Sequence, residues 1–409
     1  MNWINDLVEQ HKEVESPRAF WFWAGLSVIS AVVKDNVYLD RGGLYKLYPN
    51  IYCILHAKSG MKKGPPVNLA KTLVKLVNNT NIISGRSSIQ GIMKKLGTAR
   101  SSPGGRVNTK STGFIVASEL SASVVDDPAA LTILTDLYDR NYNQDEWENL
   151  LKMESYSLKD ATVSLLGGIN DAHAEQFFQK KDINGGFLAR TFVIYEKEEQ
   201  TINSLSQRLT NPPVPEKLAI YLRELTKLEG KFKDFSDDEN KLTQVGRYYD
   251  EWYHEFRKQL KLQEVEDDTG TLNRFGDSVL KVAILLSLAK EPKLEIDLES
   301  LQEAIEHCEK LIGNIRQTTM GRKGLASSAQ LKTLIIREFL NRDIAQISRE
   351  VLMKKMYLHY SGPNEFDELM GTFQSAGMVE IQSHGNVIMY VMPEKQLYEL
   401  RQFFKGKMK

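Results

Sequence analysis

The chain has 409 residues, 42% of them hydrophobic, and its 53 lysines and arginines are balanced by 53 aspartates and glutamates. That length accommodates two or three domains with cores of their own, and a formal charge of zero excludes a global field for nucleic acid, so any such surface is a local patch. Two cysteines, Cys53 and Cys308, and seven scattered histidines exclude a disulfide framework and form no convincing metal cluster, in keeping with a reducing, cytoplasmic setting.

Residues 1–50 read as two helices and a strand pair. Ser16-Pro17 is a helix start, and the run Ala19–Val33 that follows is too short for a spanning helix, which needs roughly 20 apolar residues. Acidic residues precede it, the wrong charge for a signal peptide, so a buried helix is expected and no membrane partner. Val37–Leu39 and Leu44–Leu47 flank Arg41-Gly42-Gly43 as a hairpin.

From Ile51 the pattern changes. Ile51–Leu55 is an apolar strand, and Val67, Leu69, Ala70, Leu73, Val74 and Val77 have helical spacing. Between them stands a turn rich in serine, glycine and lysine. Such a strand, loop and helix leaves backbone N–H groups and a helix dipole facing one concavity, which suits phosphates with a lysine as counter-charge. Ser59, Gly60, Lys62, Lys63 and Gly64 are the candidate phosphate-binding residues. Against G-x-x-x-x-G-K-[ST], the chain has Ala57, Lys62, Lys63 and Gly64, so only the lysine matches. A basic turn between a strand and a helix fits the same window.

Ile82–Ser84 is a second strand, and Ser87-Ser88 caps a helix to Leu96. Residues 98–111 read as a loop with three bases and no acid. Gly113–Glu119 is a third strand whose end presents Ser118 and Glu119, the place where ligands collect in open α/β sheets. There a carboxylate can orient an attacking water. Tandem acids are usual at that end, and Ser118 replaces the first. Magnesium ligands are therefore weak at both Gly64 and Ser118, which argues against efficient hydrolysis.

Leu131–Tyr138 is helical, and Trp147–Lys159 suits a projecting hairpin or a helix. Ala161–Ile169 is a strand ending at Asn170, either a polar group near a γ-phosphate or a plain turn residue. A helix is expected over Ala172–Lys180, then Gly185–Arg190 and the strand Thr191–Tyr195. Arg190, just before that strand, suits either a contact to a neighbouring subunit's phosphate or an edge salt bridge. Residues 196–216 form a linker with three prolines. Helices follow over Glu216–Leu228, Leu242–Lys261, Thr271–Lys290 and Asp297–Gln317. Arg274 stands near the start of the third, aimed at phosphates or merely at solvent.

After a second linker, Thr318–Ser328, the helices Gln330–Asn341, Ser348–Tyr357 and Gly362–Ala376 precede a hairpin, Met378–Gln382 with Val387–Met392. Three helices and a hairpin make a winged helix. Its third helix carries Glu365, Asp367 and Glu368 with no arginine or lysine, which argues against major-groove reading; Lys354, Lys355 and His384, outside that helix, offer modest contacts to a nucleic-acid backbone, and a protein-binding winged helix fits equally.

In its ordered motifs LYPNIYCILHAKSGMKKG, GFIVASEL, VSLLGGIN and GGFLARTFVIY, the sequence resembles the helicase-like P-loop ATPases of phages, plasmids and other mobile elements, and beyond them ring helicases similar to MCM. The resemblance covers roughly residues 16–320. It implies an α/β, P-loop NTPase fold of AAA+ or RecA-like type: a parallel-sheet core, a helical lid and a C-terminal winged helix. The expected segments are 1–50, the core 51–200, the lid 212–320 and the winged helix 328–409. It implies Lys63 at the β/γ-phosphates, Glu119 as catalytic carboxylate, Asn170 as sensor, Arg190 as arginine finger and Arg274 as the lid's sensor arginine. The hairpin with Lys152 and Lys159 resembles the element such rings point at DNA. The expectation is an ATP- and Mg²⁺-dependent, hexameric DNA motor working with other replication proteins in a bacterial or phage-infected cell. The alternative is a non-hydrolysing replication initiator or loader that keeps the fold as scaffold.

Overall fold

The structure is a computed structural model and describes residues 2–84, 88–98, 111–120, 128–139, 146–150, 155–171, 173–174, 186–199, 201–203, 214–237, 239, 241–262, 267, 270–319, 328–340, 345–357, 360, 363–385 and 387–405. Residues 99–110 of the predicted loop, most of the predicted helix 172–180 and much of both linkers lie outside them. The chain divides into two compact units, residues 1–253 with 267–311 and residues 254–266 with 312–409.

The first unit is a mixed α/β body around five parallel strands. These are β3 (Tyr52–His56), β4 (Ile82–Ser84), β5 (Thr112–Ala117), β8 (Thr162–Ile169) and β9 (Thr191–Tyr195), in the spatial order β4-β5-β8-β3-β9. Both neighbours of β3 thus come late in the chain. All residues of β3 and β8 are buried, which is why they read as largely apolar runs instead of alternating ones, with Thr162, Ser164 and His56 as the polar exceptions. Successive side chains still take opposite faces. Tyr52 donates its hydroxyl to the Leu134 carbonyl at 2.8 Å, on α5 (Pro128–Tyr138), while Cys53 faces Ser27 on α2 (Arg18–Val33).

Helix α2 buries fourteen of its sixteen residues, so it has no polar face. Its serines bond inside: Ser27 Oγ donates to Trp23 O at 2.8 Å, and Ser30 Oγ bonds Ser164 Oγ at 2.7 Å and accepts from Ile51 N at 3.2 Å, which pins the helix to β8 and to the residue before β3. Among the described residues no helix is long and apolar enough to cross a membrane. Helix α1 (Trp3–Gln10) and α6 (Pro215–Leu225) complete this layer, with Trp3 Nε1 donating to Leu218 O at 2.9 Å. Helix α3 (Gly64–Val77) packs against α2 and α6, and α4 (Ile89–Thr98) follows β4.

A small sheet joins β1 (Val37–Asp40), β2 (Lys46–Leu47) and β10 (Gly230–Lys231). Gly42 and Gly43 make its hairpin turn at φ +65° and +74°, where a side chain would be strained. The segment predicted as hairpin or helix is a hairpin: β6 (Glu146–Leu150) pairs antiparallel with β7 (Ser155–Lys159). The long helices are α7 (Gln244–Leu262), α8 (Phe275–Lys290) and α9 (Leu298–Thr319). Helix α8 starts at Phe275 rather than Thr271, and thirteen of its residues are buried.

The second unit has α10 (Ser328–Leu340), β11 (Gln346–Ser348), α11 (Arg349–Met356), α12 (Pro363–Ser375), β12 (Glu380–His384), β13 (Val387–Val391) and α13 (Glu394–Lys405). Its antiparallel sheet has the order β11-β13-β12, and its core is centred on Phe339, Phe366, Phe373 and Tyr390. Ser348 caps α11 by accepting from Val351 N at 3.3 Å. The acidic α12 uses Asp367 internally, in a two-pronged pair with Arg349 at 2.8 and 2.7 Å.

Candidate functional site

The parallel register aligns strand ends: His56 of β3 stands opposite Ile169 of β8 and Tyr195 of β9. The chain leaves β3 through Ala57 to Lys63 and enters α3. Ser59, Gly60 and Lys62 are exposed, Gly64 is half-buried and Lys63 is buried. The turn is tight. Gly60 has φ +96°, Lys62 has φ +46°, and Lys62 N donates to Gly60 O at 2.7 Å. A non-glycine residue in the left-handed region costs roughly 1–2 kcal/mol, and this one occupies the second glycine of the motif.

Lys63 Nζ donates to the carbonyls of Ala57 (2.8 Å) and Lys58 (3.0 Å). Burial lowers its pKa from the ordinary lysine value, and the charges of Glu119 and Asp171 pull the other way. Helix α3 opens with Pro65 and Pro66. Proline fits the first helical turn but carries no N–H, so two donors that such a helix start normally offers an anion are missing.

Glu119 follows β5 and is brought onto the end of β8 by two glycines. A methyl on Gly168 would run into the Ser118 carbonyl, and one on Gly167 into the Leu120 side chain. The close approach is sealed by Leu120 N donating to Gly168 O at 2.7 Å. Asn170 serves two purposes. Its Oδ1 accepts from His173 N at 3.0 Å, as a helix-capping side chain does, and its Nδ2 donates to Glu119 Oε1 at 2.7 Å. His173 Nδ1 lies 3.4 Å from the same carboxylate oxygen. Ser118 Oγ donates to Asn68 Oδ1 of α3 at 3.3 Å.

Beside this group His56 Nε2 meets Asp171 Oδ1 at 3.0 Å and its ring lies 4.5 Å from that of Tyr195. Burial lowers the His56 pKa and Lys63 adds to this, against the pull of Asp171. Lys63, Glu119 and Asn170 are thus gathered at the carboxyl ends of the strands. His56, Asn68, Asp171 and His173 join them, unforeseen in the sequence, although Asp171 and His56 are polar residues placed directly at the ends of apolar runs.

Arg190 and Arg274 are elsewhere. Arg190 precedes β9, at the opposite end of the strands, where its Nε donates to Asp139 Oδ2 at 2.8 Å, its Nη2 to the same oxygen and its Nη1 to Gly186 O at 2.8 Å. Arg274 Nη1 also reaches Asp139 Oδ2, at 2.8 Å. The two arginines share one carboxylate and neither stands beside Lys63. No family model matches the chain, and no curated protein matches its sequence.

Lys159 ends β7 at the base of the hairpin, where its carbonyl accepts from Ser111 N at 2.7 Å and its N–H donates to Ser111 Oγ at 3.2 Å. Lys152 lies outside the described residues. Among the described residues, no group of three or more His, Cys, Asp or Glu side chains could hold a metal ion.

Proposed function

We propose that the crevice at the carboxyl ends of β3, β5 and β8 binds a nucleoside triphosphate, and that the chain is a ring-forming ATP-dependent DNA motor of a phage or mobile element. The observation that carries this is the convergence of three separated strand ends on one place: Lys63, half in the field of Glu119, with Asn170 bonded to that same carboxylate. Lys63 would hold the phosphates, and the bound nucleotide supplies the phosphoanhydride to be broken. Glu119, oriented by Asn170, would position the attacking water. An all-parallel sheet with its ligand crevice at the strand ends fits a P-loop type of core. The second unit, with its helices and three-stranded antiparallel sheet, fits a winged helix, and the internal use of Asp367 favours a partner-binding role over major-groove reading.

Arg190 and Arg274 fit a role in trans. Both lie at the amino ends of the strands, so they would serve the crevice of a neighbouring copy, head to tail. The residues fit the polyphosphate better than its magnesium ion. Gly64 has no hydroxyl, Ser118 is neutral and turned to Asn68, and magnesium sites generally use carboxylates with the phosphates.

That misfit, with Pro65 and Pro66 in the helix start, favours a second reading: a replication initiator or loader that keeps the architecture and does not hydrolyse. Full-length protein with Lys63→Ala and Glu119→Gln separates them. The motor reading expects DNA-stimulated ATP hydrolysis lost in both variants, with nucleotide binding kept in Glu119→Gln. Equal hydrolysis in both variants and the parent overturns it, and DNA binding and assembly indifferent to ATP establish the scaffold.

A further inference from the structure

At the amino ends of the strands a cavity of about 350 Å³ opens between β2, the end of α5, the turn before β9 and the start of α8. Four residues of its wall are cationic, Lys46, Arg190, Arg274 and Lys281, against two carboxylates, Asp139 and Asp277. Asp277 is engaged by the Tyr45 hydroxyl at 2.8 Å and by Arg41 at 3.7 Å. Asp139 is therefore shared by both guanidiniums. Lys281 is almost fully buried, and the hydrogen-bond acceptors that meet it are neutral: Asn50 O at 3.1 Å and Asn50 Oδ1 at 2.8 Å, with the Tyr138 ring centre 3.7 Å away.

Such an arrangement is short of negative charge. A buried cation normally has an anionic partner, and here three cationic heads surround one carboxylate. Burial accordingly pushes Lys281 down to about 7, the neighbouring arginines adding to the loss and Asp139 and Asp277 opposing it.

We propose that this cavity binds a phosphate monoester, its head between Arg190, Arg274 and Lys281 and its body against Tyr45 and Leu47. Charge decides the head group: a monoester carries roughly −1.5 to −2 at neutral pH on three acceptor oxygens, which matches a wall of four cationic groups and two carboxylates once the phosphate holds Lys281 in its charged form. Geometry agrees, because planar guanidiniums pair two-pronged with phosphate oxygens. Volume decides the body. Ligand pockets run from about 300 to 1,000 Å³, so this one takes a small organic phosphate and no polymer. Asp139 would hold the arginines in place until the phosphate shares them. The proposal stands whether or not Lys63 holds a triphosphate.

The phosphate of a nucleotide held by a second copy has the same chemistry, so the test must tell the two sources apart. Full-length Lys63→Ala protein is titrated calorimetrically with AMP and ribose 5-phosphate, and with adenosine and ribose, at two protein concentrations tenfold apart. The expected result is one site per chain for both monoesters, none for the phosphate-free compounds, and the same dissociation constant at both concentrations. Arg274→Gln, at a half-exposed position safe for folding, and Lys281→Met should each weaken binding at least tenfold. Binding indifferent to the phosphate, binding unchanged in Arg274→Gln, no binding at all, or binding seen only where the chains assemble overturns it.

Discussion

At the carboxyl ends of the parallel strands one lysine, Lys63, stands among two carboxylates, Glu119 and Asp171, whereas at the amino ends two arginines and a buried lysine surround Asp139. The first end is built from turns between strands and helices, the second from the residue before β9, the end of α5 and the start of α8. A lysine-bearing turn at one end of the strands and an arginine cluster at the other would face each other in head-to-tail stacking of copies, the heterologous contact that closes into rings. This placement also means that the arginines and the lysine of one chain belong to different places, so each end can be broken without the other.

The largest effect is expected from breaking both ends in separate molecules. Arg190→Ala should lower ATP turnover by about 1,000-fold or more, in the range of arginine fingers supplied in trans, and leave nucleotide affinity at the Lys63 crevice nearly unchanged. Lys63→Ala should abolish binding there. Mixed, the two inactive proteins should regain part of the hydrolysis, since some interfaces then pair an intact Lys63 with an intact Arg190. Mixtures as inactive as their components would mean that the two ends never meet.

A second test compares glycines at the crevice. Gly168→Ala forces a methyl against the Ser118 backbone, and overpacking of this kind costs about 1–3 kcal/mol. The melting temperature should fall by several degrees and Glu119 should lose its place beside Asn170. Gly64→Ala meets nothing within 4 Å and should leave Glu119 in place with the melting temperature the same or slightly higher. Equal effects at the two positions would mean that the segment Ser118–Leu120 does not cross close over the end of β8.

Lys281 gives the third effect, and its sign follows from linkage. Its pKa is about 7 in the folded chain and the ordinary lysine value is 10.5, so between those limits the unfolded chain binds the extra proton and stability rises with pH. One proton contributes at most about 1.4 kcal/mol per pH unit. Urea unfolding from pH 7 to 10 should show that slope in the parent and lack it in Lys281→Met. A parallel pH dependence in both would place the missing charge elsewhere.

The strands of the crevice were legible because a strand buried on both faces is mostly apolar, as β3, β5 and β8 are, with Ser164 bonded to Ser30 as an internal exception. Their order was not, since periodicity says nothing of which strands pair. The hairpin β6-β7 was legible only as one of two options, and β10 and β11, of two and three residues, are too short to give a pattern. Lys63, Glu119 and Asn170 could be named from their positions after apolar runs. The partner of the arginines could not: Asp139 is 51 residues from Arg190 and 135 from Arg274, and no local spacing joins them. The same holds for Lys281 and Asn50, 231 residues apart.

The smallest effect tests the misspelled loop itself. Gly64 stands where the motif places the hydroxyl that meets magnesium, and a Cβ there enters open space, so Gly64→Ser restores the chemistry without disturbing the turn. One added polar contact is worth about 0.5–1.5 kcal/mol, which converts to roughly a 2- to 10-fold gain in magnesium-dependent triphosphate affinity. Replacing glycine also restricts the unfolded chain, stabilising by about 0.4–1 kcal/mol where the backbone allows it. Stability alone therefore decides nothing. What decides is whether affinity rises only with magnesium present while AMP binding at the arginine cavity stays fixed. A gain confined to the crevice sharpens the contrast between the two ends; equal affinity with and without the metal leaves the loop as scaffold.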